Sequence, residues 1–448
     1  MDKRMSGYLN NPDNRRLLSN IVGNYIIKGA SMVVSLLIMP AYLRFFQSQA
    51  LLGAWFALTS VVNWALMFDF GIGSGVRNQI VPLLETKDKK GMSELLSSAY
   101  ISTLIIIICL TICIVPIISH TDWYVLLGVS QHDIDAQTLK ATVCILIAGV
   151  LLRFASVIVS HVLYAMQRAS LPSLMILSSN ILVLAYLQCA PAPSGDSSII
   201  ALAVFTAVAN NIPAVIAMIA VYGKRGLDIH ISPRYFNWEK ARSVIGLGGA
   251  IFCVQLLSAF VFQLKEPLIS YFVGASQVVD YQIYYKLIGM VGGLFALALT
   301  PIWSAVTKAY FEGKSTRIKR LYRFGLIGVF VFSAGQFLLL YLSPYITDIW
   351  LGGEKEVSLR SGLVFCIYNI LYMWITLHYN ILCGLGRVRE IAYSLAVSAV
   401  LNIIFAVFLS SAIPSWESII LATSIAVVPC AVLFPRFYSK CVDSLDMV

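Results

Sequence analysis

The stretch FDFGIGSGVRN, Phe68 to Asn78, decides how the whole chain is read. If its glycines form a phosphate-cradling loop, the chain is an α/β nucleotide-binding protein. The dinucleotide fingerprint places glycines at the first, third and sixth positions, directly after a β-strand and opening a helix. Here Gly71, Gly73 and Gly75 are spaced by two, Val76 stands at the sixth position, and an apolar run precedes them instead of a strand. A phosphate loop also needs a lysine that this stretch lacks. Glycines at such spacing suit the end of a helix and close backbone packing. Asp69, Arg77 and Asn78 are then expected at a mouth that opens or closes, as a gate.

Composition points the same way. The 448 residues are 59% hydrophobic and 12% charged, with a mean hydropathy of +0.81. A soluble domain carries about 25% charged residues. Runs long enough to cross a bilayer, about 20 apolar residues each, recur along the chain, and twelve are expected: 20–46, 50–69, 94–118, 138–167, 171–190, 198–222, 243–273, 278–304, 322–345, 359–384, 391–411 and 416–436. The first carries Lys28 and is long, which reads as a span and not as a signal peptide. The nine cysteines are scattered singly and read as small buried hydrophobes, not as a metal site.

Lysine and arginine accumulate on the cytoplasmic side of a membrane protein. With the N-terminus inside, 24 of the 32 basic residues face the cytoplasm and only Arg44, Lys140, Lys355 and Arg360 face the other side. Both termini are therefore expected in the cytoplasm. The net charge of +10 follows from this bias, and no nucleic-acid partner is implied. The connection around 224–242 separates a first half, 1–223, from a second, 243–448, each with six spans. A weak internal repeat supports the division: GSGVRN (73–78) pairs with WSAVTK (303–308), and Arg168 with Arg387. An even number of spans gives both halves one orientation. The expected fold class is an all-α polytopic membrane protein, twelve transmembrane helices in two pseudo-symmetric six-helix lobes around a central cavity.

Ionisable residues within spans are costly and face a cavity or a partner. Asn20, Asn24, Lys28, Ser31 and Ser35 fall on one helical stripe, and Arg153, Ser156, Ser160, Tyr164 and Gln167 on another. Lys286 aligns with Gly293, Thr300 and Ser304, and it also stands close enough to a span end to snorkel. In LKEP (264–267), Pro267 should kink the helix and free backbone groups near Glu266, while Lys265 and Glu266 could neutralise each other. Four basic residues against one acidic residue make a cationic lumen, suited to an anionic group such as a diphosphate. Tyr271, Tyr281, Tyr284, Tyr285, Tyr379 and Trp55 could stack on sugar rings.

MPAYLRFFQSQALLGAWFAL (39–58), FDFGIGSGVRN (68–78), LKEPLISYFVGASQVVDYQIYYKL (264–287) and LCGLGRVR (382–389) follow one another in an order and at spacings that resemble the Wzx-type polysaccharide flippases of the multidrug/oligosaccharidyl-lipid/polysaccharide (MOP) exporter superfamily. The similarity covers nearly the whole chain. Leu52, where an aromatic often stands, and Lys265, beside the family's acidic position, depart from the pattern.

The resemblance implies a transporter, not an enzyme. It would sit in the bacterial inner membrane and flip undecaprenyl-diphosphate-linked oligosaccharide repeat units to the periplasmic leaflet by alternating access, for O-antigen or capsule assembly. On that footing Lys28, Arg153, Lys265, Lys286 and Asn24 would bind substrate, and Asp69, Glu266 and Arg77 would serve gating or ion coupling. No cofactor is expected beyond a coupling proton or sodium ion. Partners would be the lipid-linked oligosaccharide, the bilayer, and the polymerase and chain-length regulator of the assembly pathway. Two alternatives are a multidrug exporter of the same superfamily, which would want acidic spans, and a membrane O-antigen polymerase or ligase. The latter needs a large periplasmic loop, and the longest here is 119–137.

Overall fold

The computed structural model describes residues 12–46, 48–66, 72–166, 168, 170–190, 197–352, 355 and 357–446. Every regular element among them is helical, in the order α1 (Pro12–Phe45), α2 (Gln49–Leu66), α3 (Ile72–Glu85), α4 (Lys89–His120), α5 (Trp123–Leu127), α6 (Ala136–Ala165), α7 (Ser170–Cys189), α8 (Ser197–Tyr222), α9 (Trp238–Phe262), α10 (Lys265–Phe272), α11 (Ala275–Leu287), α12 (Gly289–Phe311), α13 (Ser315–Leu351), α14 (Leu359–Gly384), α15 (Val388–Ala412), α16 (Trp416–Ala426) and α17 (Val428–Asp446). Nine of the described helices are long and apolar enough to cross a membrane, or eleven when two bent pairs each count as one span. Those pairs are α9–α10, bent by 40°, and α11–α12, bent by 46°.

The chain forms two compact units. The first gathers the chain up to Phe45, Val62–Trp123 and Ile134–Phe252. Its core is built by α3, α4 and α6. Ile72, Val76 and Ile80, one helical turn apart along α3, are buried against Leu95, Leu96 and Ala99 of α4 and Ile158, Val159 and Val162 of α6. Gly73 and Gly75 thus do not end a helix. They lie in the opening turn of a new one, because apolar residues at i, i+4 and i+8 reward a helix there more than the glycines penalise it. Gly75 is needed for close approach: a Cβ at this position would lie 2.4 Å from the Val244 carbonyl oxygen. Residues 68–71 of that stretch, Asp69 included, lie outside the described residues.

The connection between the halves is tied along α4. The backbone N–H groups of His230, Ser232 and Asn237 donate to the hydroxyls of Ser93 (3.4 Å), Ser97 (3.1 Å) and Ser98 (2.8 Å). These serines satisfy donors that a loop would otherwise leave to water.

The second unit gathers Phe46–Val61, Tyr124–Asp133 and the chain from Cys253 onward. Phe295, Leu299, Ile302 and Val306 of α12 pack with Met373, Leu377 and Ile381 of α14 in its core. The start of α2 approaches α11 so closely that a Cβ on Gly53 would lie 1.6 Å from the Ala275 carbonyl oxygen. The segment after α5 is clamped in the same unit. Ser270 Oγ donates to Leu127 O, and Asp133 accepts from Ser130 N (3.0 Å), Ser130 Oγ (2.7 Å) and Ser48 Oγ (3.4 Å). The hydrogen bonds from Ser130 hold the Asp133 carboxyl below the usual range.

Two corners repeat across the units. Asp88 N–H donates to Leu83 O and Met92 N–H to Asp88 O; 226 positions on, Lys314 N–H donates to Ala309 O and Ile318 N–H to Lys314 O. Likewise Met166 N–H donates to Val162 O and Arg168 N–H to Leu163 O, matched by Leu385 to Ile381 and Arg387 to Leu382. The pairing of Arg168 with Arg387 therefore holds. That of 73–78 with 303–308 is four residues out of register with its corner, about one helical turn.

Of the cysteines, Cys366, Cys430 and Cys441 are buried as expected, but Cys109, Cys113, Cys144, Cys189 and Cys253 are exposed. Among the described residues no group of three or more His, Cys, Asp or Glu side chains could hold a metal.

Candidate functional site

The second unit brings three charged side chains of the bent spans together. Lys265 and Glu266 open α10, directly after the break that follows α9, and are 5% and 9% exposed. Pro267 sits in the first turn of α10, where its missing N–H costs little. The bend it was expected to cause falls just before it, at Gln263–Leu264. Lys286 lies in the last turn of α11, immediately before the second bend. That bend interrupts the stripe expected to run from Lys286 to Gly293, Thr300 and Ser304.

Lys265 and Glu266 do not pair directly. Lys265 Nζ donates to the carbonyl oxygen of Phe262 and lies 5.1 Å from the ring centroid of Tyr368. Glu266 Oε1 accepts from Gln282 Nε2 at 2.6 Å. Both lysines act on that carboxylate electrostatically. The cluster carries two positive charges and one negative, in surroundings where a net charge is felt strongly. Tyr285, 45% exposed, stacks on Tyr281 at 5.8 Å beside it. Of the aromatics suited to a sugar ring, Tyr285 and Tyr271 are open and Tyr379 is half-buried. Tyr281, Tyr284 and Trp55 are core side chains, with Tyr284 packed on Trp416 at 4.8 Å.

In the first unit the cations stand apart from one another. Arg153 Nη1 donates to the Asn210 carbonyl oxygen at 3.1 Å, within one turn of Pro213 on α8. Asn211 braces the same contact by donating to Gly149 O at 3.0 Å. Lys28 is half-buried on α1, with no acidic or hydrogen-bonding partner among the described residues. One turn further, Ser31 Oγ accepts from Asn180 of α7. The side chain of Asn24 lies outside the described residues. Arg77 projects from α3 over the Tyr164 ring, 5.4 Å from its centroid. Asp69, expected with it at the gate, is likewise outside them.

Sequence reasoning missed Gln282 and Tyr368. Gln282 carried a usable signal, an amide within an apolar span 16 positions after Glu266. Tyr368 comes from α14, and no spacing along the chain links it to Lys265.

No protein-family model matches the chain. A curated protein of Yersinia pseudotuberculosis, "Putative O-antigen export protein", is 23% identical over 355 residues, covering 77% of this chain and 78% of its own. Among solved structures, a multidrug resistance MATE family transporter of the MOP superfamily in its inward-facing conformation superposes with a TM-score of 0.69 at 14% identity, covering 93% of this chain and 96% of that one. A MOP superfamily transporter from Pyrococcus furiosus, described by the reverse polarity of its binding pocket, gives 0.66 at 15% identity, over 95% and 96%. The chain is a multi-pass membrane protein with the fold of MOP superfamily transporters, and it is similar in sequence to an O-antigen export protein.

Proposed function

We propose that this transporter is a flippase for undecaprenyl-diphosphate-linked oligosaccharide repeat units. It moves them from the cytoplasmic to the periplasmic leaflet of a bacterial inner membrane, with both termini in the cytoplasm, for O-antigen or capsular polysaccharide assembly. The two halves, 1–223 and 243–448, joined through 224–242, give access alternately from each side. The observation that carries the reading is the charge at membrane depth: Lys28, Arg153, Lys265 and Lys286 against Glu266. The basic groups serve the diphosphate and acidic sugars, and Tyr285 beside Lys286 offers an open aromatic face to a sugar ring. Asp69, Glu266 and Arg77 serve gating.

The fold's likeness to multidrug transporters supports a second reading, export of drugs, but cationic compounds are poorly suited to basic spans. A strain lacking the protein separates the readings. The flippase reading expects no surface polysaccharide and lipid-linked units held on the cytoplasmic leaflet. Single capped units at the surface would mean a polymerase. Normal polysaccharide with heightened drug sensitivity would mean a drug exporter.

A further inference from the structure

The matched corners fix a register of 226 positions between α4 and α13. Ser93, Ser97 and Ser98 of α4, which accept from the strap over 230–237, therefore correspond to Lys319, Arg323 and Phe324 of α13. In α4 this face is covered, and none of the three serines is more than 5% exposed. In α13 it is open. Arg323 and Phe324 are exposed, and so is Arg320, one turn earlier on the same side of the helix. Among the described residues no segment covers Arg320, Arg323 and Phe324 as the strap covers α4.

The α4 face offers hydroxyl acceptors to main-chain N–H donors. Arginines offer donors only, so a second strap of N–H groups would not fit α13, and an anion would. Glu312, the acid at the corner, is met by Lys314 at 2.9 Å and Arg317 at 3.8 Å, and no acid among the described residues pairs with Arg320 or Arg323. Beyond the arginines the same side of α13 continues as Phe324, Ile327, Phe330 and Leu338, 61–76% exposed. From Arg323 to Tyr345 the helix rises about 33 Å, close to the roughly 30 Å of hydrocarbon in a bilayer. The arginines therefore stand at headgroup depth, above an apolar track. Guanidinium groups suit a phosphate, and the track suits acyl chains attached to it; a free phosphate or an acidic peptide would leave the track unused.

We propose that the start of α13 is a docking site for an anionic phospholipid of the surrounding bilayer. Arg320 and Arg323 hold its phosphate, and the side of the helix from Phe324 to Phe330 lies along its acyl chains. The lipid covers on α13 the face that the strap covers on α4. The site uses none of the residues assigned to substrate or gating.

The test titrates the purified full-length protein in detergent with phosphatidylglycerol or with phosphatidylcholine of the same acyl chains. Bound lipid is counted by native mass spectrometry, and the thermal midpoint is followed. No lipid-linked oligosaccharide is present, so the outcome is independent of what the protein carries. The native protein is expected to bind phosphatidylglycerol saturably and to melt roughly 2–4 °C higher with it than with phosphatidylcholine, as a ligand bound only by the folded state requires. Arg320→Gln/Arg323→Gln should bind phosphatidylglycerol about 10–30-fold more weakly and lose the rise; Arg323→Gln alone serves if the double variant does not fold. Lys224→Gln/Arg225→Gln removes the same charge from an exposed turn elsewhere and should keep the rise. No preference for phosphatidylglycerol in the native protein would overturn the proposal. So would undiminished binding by the arginine variant, or an equal loss in the Lys224/Arg225 variant. Displacement of the lipid by millimolar inorganic phosphate or by an oligoglutamate peptide would also overturn it, in favour of a free anion or an acidic protein segment.

Discussion

At the corner between α3 and α4 the backbone turns through Lys87 at φ 54°, and at the matching corner between α12 and α13 it turns through Gly313 at φ 65°. The hydrogen bonds that close the two corners are the same. The charges within the spans are not repeated in this way. In the first unit Arg153 is tied singly to a backbone carbonyl, whereas in the second Lys265 and Lys286 both act on Glu266. Backbone geometry at a helix end is set by donors and acceptors that every residue carries, so it survives while side chains diverge. Charge at membrane depth has to be compensated locally, and the second unit does so where two helices break.

Charge reversal should separate the two units most sharply. Lys286→Glu would turn the cluster from net positive to net negative, and surface polysaccharide should fall on the order of 100-fold at normal protein abundance, since a charge-assisted hydrogen bond is worth about 1.5–3 kcal/mol. Lys28→Glu should also abolish polysaccharide at normal abundance. Arg153→Glu should lower abundance as well, because its carboxylate would face the Asn210 carbonyl. Normal abundance of that variant, read by immunoblot, would remove the structural role given to Arg153.

Glycine substitutions come next. Gly53→Ala meets the Ala275 carbonyl at 1.6 Å, and backbone on both sides cannot yield, so a loss of about 3 kcal/mol or more is expected. Gly335→Ala has nothing within 4 Å and should gain about 0.5–1 kcal/mol from helix propensity. Melting of the two purified variants in opposite directions checks the pair.

The matched corners predict a smaller, reciprocal effect. Gly313→Ala should cost about 1 kcal/mol, and Lys87→Gly should gain less than that, because only glycine adopts the left-handed region without penalty. Equal responses would mean that the corners are not equivalent.

The smallest effect concerns pH. Asp133 is depressed in the folded protein, so its contribution is complete above the ordinary carboxylate pKa and is lost as pH falls through the folded value. Hydrogen exchange over 124–133 should therefore rise below about pH 4. In Asp133→Asn exchange there should be faster at neutral pH and respond less to acid.

The membrane-spanning character, most span positions and the Arg168–Arg387 repeat were legible in the sequence, because apolar length and loop charge are local properties. The α3 helix was also legible in the period of Ile72, Val76 and Ile80, but the glycines among them drew the reading toward a helix end. The bend at Ile288 was not legible. It is upheld from outside, by Asn369 of α14 donating to Ile288 O at 3.1 Å. For the same reason the partners of Lys265 were hidden: Phe262 offers a main-chain oxygen and Tyr368 a ring face, and neither depends on spacing along the chain.

The serines of α4 that hold 230–237 receive main-chain N–H groups, not side chains. The information in that contact is therefore lopsided. Any residue except proline can stand at 230, 232 or 237 and still donate to α4, although Asn237 also caps α9 by accepting from Glu239 N and Lys240 N. Ser93, Ser97 and Ser98 have no such freedom, and a substitution that removes one of their hydroxyls removes an acceptor that the strap cannot supply for itself.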